Sequence, residues 1–391
     1  MTPARAPGRS RPRLVHLTTT DMSLAWLLRP QLEAFAAAGY EVIGMSAPGP
    51  YVGELEAVGI RHEALHHATR AMAPRQDVAA ARELYRLLSE LRPDVLHTHN
   101  PKPGWYGRPI GRLAGVPVVV NTVHGLYALP GDPWAKRAVV YTLERLAAGC
   151  SRAELVQNPE DVDVLVRLGV PRQRLHLLGN GIDLGRFDPD RFDAEVRTWA
   201  RRELGAPEGA VVVGVVGRLV EEKGIAEVLA AAEVCRGTNP ALHWALVGPS
   251  DRDKADAVDG ASLDRARRTG VAVLGERHDV ERLYPGMDLF VLASHREGFP
   301  RAAMEAAAMG LPLVATDIRG CRQVVDDGVT GRLVPVRDAG ALAAAVAGLA
   351  ADPDTRRSMG AAARVKAARE FDQQRVIDVT LGVYRDLLDR A

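Results

Sequence analysis

Short apolar runs alternate with amphipathic stretches along most of the chain. Runs such as Val211–Val216, rich in β-branched residues, are typical of strands that are buried on both faces of a parallel sheet. The stretches between the runs, such as Asp77–Leu91, carry apolar residues at positions i, i+3, i+4 and i+7, which is the spacing of one helix face. Strands that alternate with helices in this way predict an α/β fold built on parallel sheets.

The alternation occurs twice, on either side of a stretch that is rich in Asp and Pro. We predict a first domain over residues 13–185, a linker over 186–209 and a second domain over 210–375. A closing amphipathic helix, 376–391, is expected to return to the first domain, and residues 1–12 to form a disordered basic tail. The main predicted strands are Arg13–Thr19, Glu41–Ser46, Asp94–His99, Val116–Val123, Glu154–Asn158, Arg174–Asn180, Val211–Val216, Leu242–Gly248, Val271–Glu276, Leu289–Ser294, Leu313–Thr316 and Thr330–Pro335.

Composition narrows the class of protein without naming an activity. The chain has 391 residues, of which 47% are hydrophobic and 25% charged, as in a globular protein of two or three domains. Its formal net charge of +1 does not suggest a nucleic-acid partner. We find no apolar run of about 18 residues, no signal-peptide pattern and only scattered cysteines, so we expect a cytoplasmic protein without disulfides.

Two glutamates frame the start of a predicted helix in the second domain. Glu297 precedes the helix, Gly298-Phe299-Pro300 follows, and Glu305 lies inside the helix Arg301–Met309. We place Pro300 in the first turn, where its missing N–H would be unpaired anyway. The free N–H groups and the dipole at a helix start favour an anion. This helix could hold a sugar, a diphosphate and a ribose in order, although two solvated glutamates on a surface helix are the simpler alternative.

The same residues resemble the E-x7-E motif of a family of retaining glycosyltransferases, family 4, which contains sucrose synthase and phosphatidylinositol mannosyltransferases. The match runs from Glu297 to Glu305. The resemblance implies the GT-B fold, with two Rossmann-like domains facing a cleft. It also implies transfer of a hexosyl group, with retention of configuration, from a nucleotide diphosphate sugar such as a UDP-sugar to a hydroxyl group. Neither a metal ion nor a further cofactor is expected.

A basic pair follows the predicted strand Val211–Val216. Arg218 and Lys223 lie on the loop between this strand and a helix, a position suited to a diphosphate, although a solvated charged loop would also fit. The family resemblance matches both residues to its diphosphate-binding Arg and Lys. It also places Arg277 in the nucleobase loop, where we expect contacts from the backbone.

Several histidines of the first domain lie at strand ends. We expect His97 and His99 to point to opposite faces of their strand, which argues against a shared metal ion and leaves one of them for the core and one for a cleft. His99 and Lys102 are candidates for acceptor contacts. His124 ends the next strand, where the crevice of a parallel sheet lies, and the resemblance places a His there near the anomeric end of the donor sugar. We therefore assign catalytic roles to His124 and Glu297.

The acceptor is less defined than the donor. Residues 97–128 and 319–335 resemble bacterial transferases that extend surface glycans on lipid diphosphate carriers. We expect a glycan acceptor on polyprenyl diphosphate, with peripheral contact at the inner face of the membrane through Trp105, Tyr106, Trp134 and nearby basic residues. The alternatives are a natural-product glycosyltransferase, a sugar-nucleotide epimerase of similar architecture and an inactive glycan-binding protein.

Overall fold

The chain folds into two α/β units. The computed structural model describes residues 11–69, 73–99, 101–128, 131–239, 241–250 and 257–391, so most of the expected tail lies outside the described residues. The first domain extends to Gly179 and takes in Gln374–Ala391, and the second domain is Asn180–Gln373. The closing segment therefore returns to the first domain.

Within the described residues, the first domain has a sheet of seven strands, all paired in parallel. The order of the strands is β3-β2-β1-β4-β5-β6-β7, so the direction of chain progress reverses between β1 and β4. The strands are β1 (Arg13–Thr20), β2 (Glu41–Ala47), β3 (Arg61–Ala64), β4 (Val95–His99), β5 (Val118–Val123), β6 (Ala153–Val156) and β7 (Leu175–Leu177). The helices are α1 (Arg29–Ala37), α2 (Val52–Ala57), α3 (Pro74–Leu91), α4 (Pro101–Leu113), α5 (Trp134–Ala148), α6 (Pro159–Arg167) and the closing helix α15 (Gln373–Asp389).

The described part of the second domain has a sheet of six parallel strands in the order β10-β9-β8-β11-β12-β13. Here the reversal falls between β8 and β11. The strands are β8 (Val211–Val216), β9 (Leu242–Val247), β10 (Ala272–Gly275), β11 (Leu289–Leu292), β12 (Leu313–Thr316) and β13 (Gly331–Val334). The helices are α7 (Ala194–Glu203), α8 (Ile225–Thr238), α9 (Gly260–Arg268), α10 (Val280–Leu283), α11 (Arg301–Ala308), α12 (Arg319–Val324), α13 (Ala339–Ala351) and α14 (Pro353–Glu370).

The stretch 186–209 is part of the second domain rather than a free linker. It contains α7, and Phe187 and Leu204 are buried in the core of that domain. Arg201 on α7 forms an ion pair with Asp288, with 3.0 Å between Nη1 and Oδ2. The abundance of Asp and Pro at the start of this stretch suggested a linker. Its few apolar residues pack on the core of the second domain, and composition alone does not reveal such packing.

The closing helix α15 completes the core of the first domain. Val376, Ile377 and Tyr384 are buried together with residues of β1 and α1. The rings of Tyr384 and Phe35 meet edge to face, with 5.5 Å between centroids. In the part of the chain that the structure describes, we find no helix with the length and hydropathy of a membrane span.

Candidate active site

A glycine brings the two loops at the reversal of the second sheet into contact. Gly224 has φ +68°, and a Cβ atom there would lie 2.0 Å from the carbonyl oxygen of Ala293. Only glycine fits this close approach between the loop after β8 and the loop after β11. As a result, Lys223 Nζ lies 2.5 Å from Glu297 Oε1, and both side chains are largely shielded from solvent. Two of the predicted donor-binding residues therefore form an ion pair at the place where ligands bind in open α/β sheets.

Glu297 is held by further contacts from neighbouring elements. The Ser294 hydroxyl donates to Glu297 Oε1 over 2.8 Å. Thr316, which ends β12, donates to the Ser294 carbonyl over 2.5 Å. The backbone of Glu297 packs against α12, because a Cβ atom at Gly320 would lie 2.6 Å from the Glu297 carbonyl oxygen. These contacts fix the carboxylate at the carboxyl ends of β11 and β12.

Glu305 has a different environment from Glu297. The Tyr284 hydroxyl donates to Glu305 Oε2 over 3.0 Å. Burial raises the pKa of Glu305, and the charge of Arg301 and the bond from Tyr284 oppose that change. Neither glutamate is thus a freely solvated side chain of a surface helix. The assignment of Glu305 to a ribose stays a prediction.

The helix that contains Glu305 begins at the predicted residue, but Pro300 lies outside its first turn. Helix α11 starts at Arg301, and Pro300 precedes it with ψ 114°, outside the helical region. Our placement of Pro300 in the first turn is therefore wrong. The neighbouring residue Phe299 packs its ring 5.9 Å from that of Phe371, and its carbonyl accepts a bond from the Asn180 side chain over 3.1 Å. The loop that would cover the donor, including Gly298, is thereby tied to the body of the domain.

The two arginines expected at the donor differ in their surroundings. Arg218 is half-buried on the loop after β8, on the same loop as Lys223. The guanidinium of Arg277 bonds both carboxylate oxygens of Asp279 at 2.8 Å and Glu203 at 2.8 Å. These bonds raise its pKa. Because carboxylates hold the Arg277 side chain, a donor contact there would come from its backbone, and this stays a prediction.

In the first domain, the strand reversal brings histidines together. His97 and His99 point to the same face of β4, because side chains two residues apart on a strand share a face. Their rings stack with 4.1 Å between centroids. The expectation that they face opposite ways is therefore wrong. His16 on β1 lies opposite His97 in the parallel register, so a third ring joins the stack.

Hydrogen bonds link these rings to their neighbours. His97 bonds the Tyr384 hydroxyl through Nδ1 and Thr122 Oγ1 through Nε2, the latter at 2.7 Å. The Tyr384 hydroxyl also lies 3.5 Å from His16 Nε2. His16 Nδ1 is 2.9 Å from His99 Nε2.

His124 is the last ring of this cluster. His99 Nδ1 is 3.0 Å from His124 Nε2, and His124 also bonds the side chain of Gln157. Burial lowers the pKa of His124 to about 4. The ring is therefore neutral at pH 7, which suits a hydrogen-bonding role and not that of a proton donor. Thus the structure brings together two predicted site residues, His99 and His124.

The stacked histidines are the one group in the described residues with the composition of a metal site. Ligand atoms of His16, His97 and His99 lie within 4.8 Å of one another. However, every ring nitrogen of the three already faces a hydrogen-bonding partner, and stacked rings do not direct their lone pairs at a common point. The arrangement therefore does not fit a metal ion. Independence from metal stays a prediction.

The ammonium group of Lys102 contacts other residues of the first domain. Its ammonium lies 2.5 Å from Asp77 and donates to the carbonyl and the hydroxyl of Thr69 over 2.8 and 2.9 Å. The ion pair with Asp77 fastens α4 to α3. No contact here favours an acceptor role for Lys102, and that assignment stays a prediction.

Sequence reasoning missed the residues that support the site. Ser294 and Tyr284 hold the glutamates, and His16 and Tyr384 extend the histidine cluster. The available signal was weak: His16 is a polar residue between the apolar residues Val15 and Leu17, and Tyr384 lies on the buried face of an amphipathic helix. Buried polar groups need partners, so both positions could have been marked as members of a network.

The geometry above agrees with comparisons to known proteins. Residues 28–186 match the model of glycosyltransferase family 4, and residues 196–366 match that of glycosyl transferases group 1. The UDP-Gal:α-D-GlcNAc-diphosphoundecaprenol α-1,3-galactosyltransferase of Escherichia coli is 31% identical over 267 residues, which cover 67% of this chain and 68% of the relative. A D-inositol 3-phosphate glycosyltransferase of Saccharomonospora viridis is 32% identical over 317 residues, which cover 75% and 70%.

Solved structures with the same fold are consistent with these sequence relationships. The sucrose-phosphate synthase of Thermosynechococcus elongatus superposes with a TM-score of 0.81 at 23% identity, covering 97% of this chain and 100% of that one. The two Rossmann-like domains have the GT-B architecture, as expected. The chain belongs to glycosyltransferase family 4. It is an enzyme that transfers a hexosyl group from a nucleotide sugar, which excludes an inactive glycan-binding protein.

Proposed function

We propose that the enzyme transfers its sugar with retention of configuration, from a UDP-sugar to a glycan on polyprenyl diphosphate. The observation that carries the donor part is the Lys223–Glu297 pair at the strand reversal of the second domain. In this proposal Lys223 is the cation that binds the diphosphate, and Glu297 is the carboxylate that binds the sugar hydroxyls. When the donor enters, Lys223 would exchange the carboxylate for a phosphate, and Glu297 would become available to the sugar.

The same residues account for the chemistry of the transfer. Breaking the bond between the anomeric carbon and the phosphate oxygen leaves extra negative charge on the diphosphate. Arg218, Lys223 and the start of α11 would stabilise that charge. The acceptor oxygen bonds to the anomeric carbon on the face that the phosphate leaves, and its proton passes to the leaving phosphate oxygen. No protein base, metal ion or cofactor is then required.

The donor assignment can be tested by binding alone. Each charge-assisted contact to the diphosphate should contribute about 1.5–3 kcal/mol. Calorimetry with UDP should therefore show affinity losses of roughly ten- to a hundredfold in Arg218→Ala and in Lys223→Ala. Arg268→Ala is the matched control, because it removes an equal charge from an exposed position on α9 of the same domain. Unchanged affinity in both site variants would refute the assignment.

Stereochemistry and donor choice need a turnover experiment. The full chain is incubated with UDP- and GDP-sugars and a lipid-linked acceptor, and the anomeric proton of the product is followed by NMR. An α-linked product from an α-linked donor supports retention, and a β-linked product overturns it. Isomerised donor formed without acceptor would instead identify a sugar-nucleotide epimerase.

The acceptor part rests on exposed apolar side chains of the first domain. Trp134, Val139 and Leu146 on α5 are 81%, 60% and 65% exposed, although they are large apolar residues on one helix. Lys136 and Arg137 lie beside them, as at a membrane interface. The Escherichia coli relative acts on a diphosphoundecaprenol-linked sugar, as its name states.

Two other aromatic residues that we expected on this surface are placed differently. Trp105 is half-buried, with its indole N–H donating to Glu144 over 3.0 Å. Tyr106 packs against the core between α3 and α4, and its burial raises its pKa. The membrane contact that we propose would therefore involve fewer residues than the sequence suggested and would centre on α5.

Membrane contact can be measured by co-sedimentation with anionic and neutral vesicles at low and high salt. Trp134→Ser with Leu146→Ser should reduce binding to anionic vesicles. Val365→Ser is the control, since Val365 is 66% exposed on α14 of the second domain. Absence of vesicle binding, together with efficient transfer to a soluble small molecule, would favour a natural-product glycosyltransferase.

A further inference from the structure

A continuous chain of hydrogen bonds passes through the buried centre of the first domain and ends at His124. It consists of two hydroxyl groups and four imidazoles. The groups in its middle belong to β1, β4 and α15, elements that are distant in sequence. Followed from one hydrogen bond to the next, its members are Thr122, His97, Tyr384, His16, His99 and His124.

The atoms at each link restrict where the protons can be. A neutral imidazole donates from one nitrogen and accepts at the other. Each link runs from Nδ1 of one ring to Nε2 of the next, with the Tyr384 hydroxyl inserted between His97 Nδ1 and His16 Nε2. If His97 donates from Nδ1, then Tyr384 must donate to His16, and every later ring must also donate from Nδ1. If donation runs in the other direction, all four rings must donate from Nε2.

Mixed arrangements are strongly disfavoured. Between two rings they would leave two N–H groups, or two lone pairs, facing each other, and at Tyr384 they would leave the hydroxyl proton or one ring lone pair without a partner. His16, His97 and His99 are at most 1% exposed, so water cannot repair such a mismatch. One unsatisfied buried group lowers the population of an arrangement roughly ten- to a hundredfold.

We propose that His16, His99 and Tyr384 are positioning residues that hold the ring orientation of His124 and couple its tautomer to their own hydrogen bonds, so that the four histidines change tautomer only together. The significance for catalysis rests on the proposed function and on the catalytic role that the family resemblance assigns to His124. The coupling itself does not depend on that role. Through this coupling, the Tyr384 hydroxyl on the closing helix α15 affects the tautomer of the His124 ring at the end of β5.

The coupling requires all four rings to be neutral, and burial favours the neutral form of each ring. Burial lowers the pKa of His16 to about 3 and that of His124 to about 4. The pKa values of His97 and His99 are also well below the ordinary 6.5, because of burial and of the neighbouring rings. A proton added to any ring would require it to donate from both nitrogens, which would break the direction of the chain.

The test is the tautomer state of each ring in the full chain. Protein labelled with ¹⁵N in the histidine rings is examined by long-range ¹H–¹⁵N NMR at pH 7, which distinguishes Nδ1–H from Nε2–H. We expect His16, His97, His99 and His124 to show the same tautomer. Finding two different tautomers, or a charged ring, among the four would overturn the proposal.

A variant tests the hydroxyl link. In Tyr384→Phe the connection between His97 and His16 is lost, so the tautomer of His97 should differ from that of the others or become mixed. The control is Tyr40→Phe: Tyr40 is 7% exposed and its ring lies 5.9 Å from that of Tyr384, but in the described part of the chain its hydroxyl bonds no histidine. Ring signals in Tyr384→Phe identical to those of wild type would overturn the coupling through Tyr384.

Turnover separates this inference from the proposed function. We expect Tyr384→Phe to lower kcat about fivefold, the effect of one net hydrogen bond, with little change in KM for the donor, and Tyr40→Phe to leave both unchanged. Equal kcat in the two variants would overturn the positioning role. If no nucleotide sugar supports turnover of the wild type but the tautomers agree, the proposed function fails and the coupling stands.

Discussion

Lowering the pH from about 7.5 to 5.5 should destabilise the first domain far more than the second. His16, His97 and His99 are buried and His124 is half-buried, all as neutral rings, and removal from solvent is the main cause of their lowered pKa values. The unfolded chain, with a histidine pKa near 6.5, binds protons that the folded domain does not. Their stabilising contribution is therefore complete above pH 6.5 and is lost as the pH falls toward the folded values of about 3 and 4 for His16 and His124.

The size of the effect follows from proton linkage. Over this pH range, each histidine that stays neutral in the folded state lowers the free energy of unfolding by about 1.4 kcal/mol. Four such rings give a loss of about 5 kcal/mol, which is comparable to the whole stability of a typical domain. His62 and His176, with pKa values lowered by burial, act in the same direction. Glu154 acts in the opposite direction, because burial raises its pKa and the folded state then binds the proton more tightly.

The assay must observe the two domains separately. The full chain is equilibrated in urea at each pH, labelled with a brief deuterium pulse at one fixed pH, and digested for mass spectrometry. Peptides from β4 report on the first domain and peptides from β11 on the second. We expect the urea midpoint of β4 to fall steeply between pH 7.5 and 5.5. A midpoint that moves no further for β4 than for β11 would refute the claim that the cluster is buried and neutral.

Three further outcomes follow from the second domain. Glu305→Ala should weaken binding of UDP, whereas Glu297→Ala should spare it and abolish turnover; the reverse pattern in calorimetry and activity assays would mean that the orientation of the donor is opposite to our assignment. Activity in EDTA should equal that in magnesium, and activity that is lost in EDTA and restored by magnesium would contradict metal independence. Gly224→Ala should destabilise the second domain by about 2 kcal/mol or more in urea unfolding, because φ is +68° and the added carbon meets a carbonyl. Gly348→Ala, on α13 with no atom within 4 Å of the added carbon, is its control, and equal midpoints would disprove the close approach.

Sequence patterns predicted the regular elements well where the signal was local. The bounds of β8 and β12 agree with the structure residue for residue, since a continuous apolar run between charged or Gly-rich segments marks a buried strand. The edge strand β3 of the first sheet was harder to predict. The strand β3, Arg61–Ala64, is short and polar, and its charged residues obscured it.

Helix α4 shows why a helix with many glycines and prolines was missed. Pro101–Leu113 contains residues that normally end helices, yet it is helical throughout. A Cβ atom at Gly107 would lie 2.7 Å from Leu17 Cδ2, and one at Gly111 would lie 2.6 Å from Leu96 Cδ2. The glycines let the helix lie close against the sheet, so tertiary packing compensates for their poor helix propensity.

By itself, the sequence determined the features that depend on neighbours along the chain. These include the alternation of strands and helices, the two domains, and the spacing of Glu297 and Glu305 around the start of α11, because hydrophobic periodicity and helix geometry act over a few residues. The tertiary structure alone decided which distant groups meet. Lys223 reaches Glu297 across 74 positions, and His97 bonds Tyr384 across 287. In a parallel sheet the order of strands is set by crossovers and by the packing of helices on its faces, and the chemistry gathers where that order reverses.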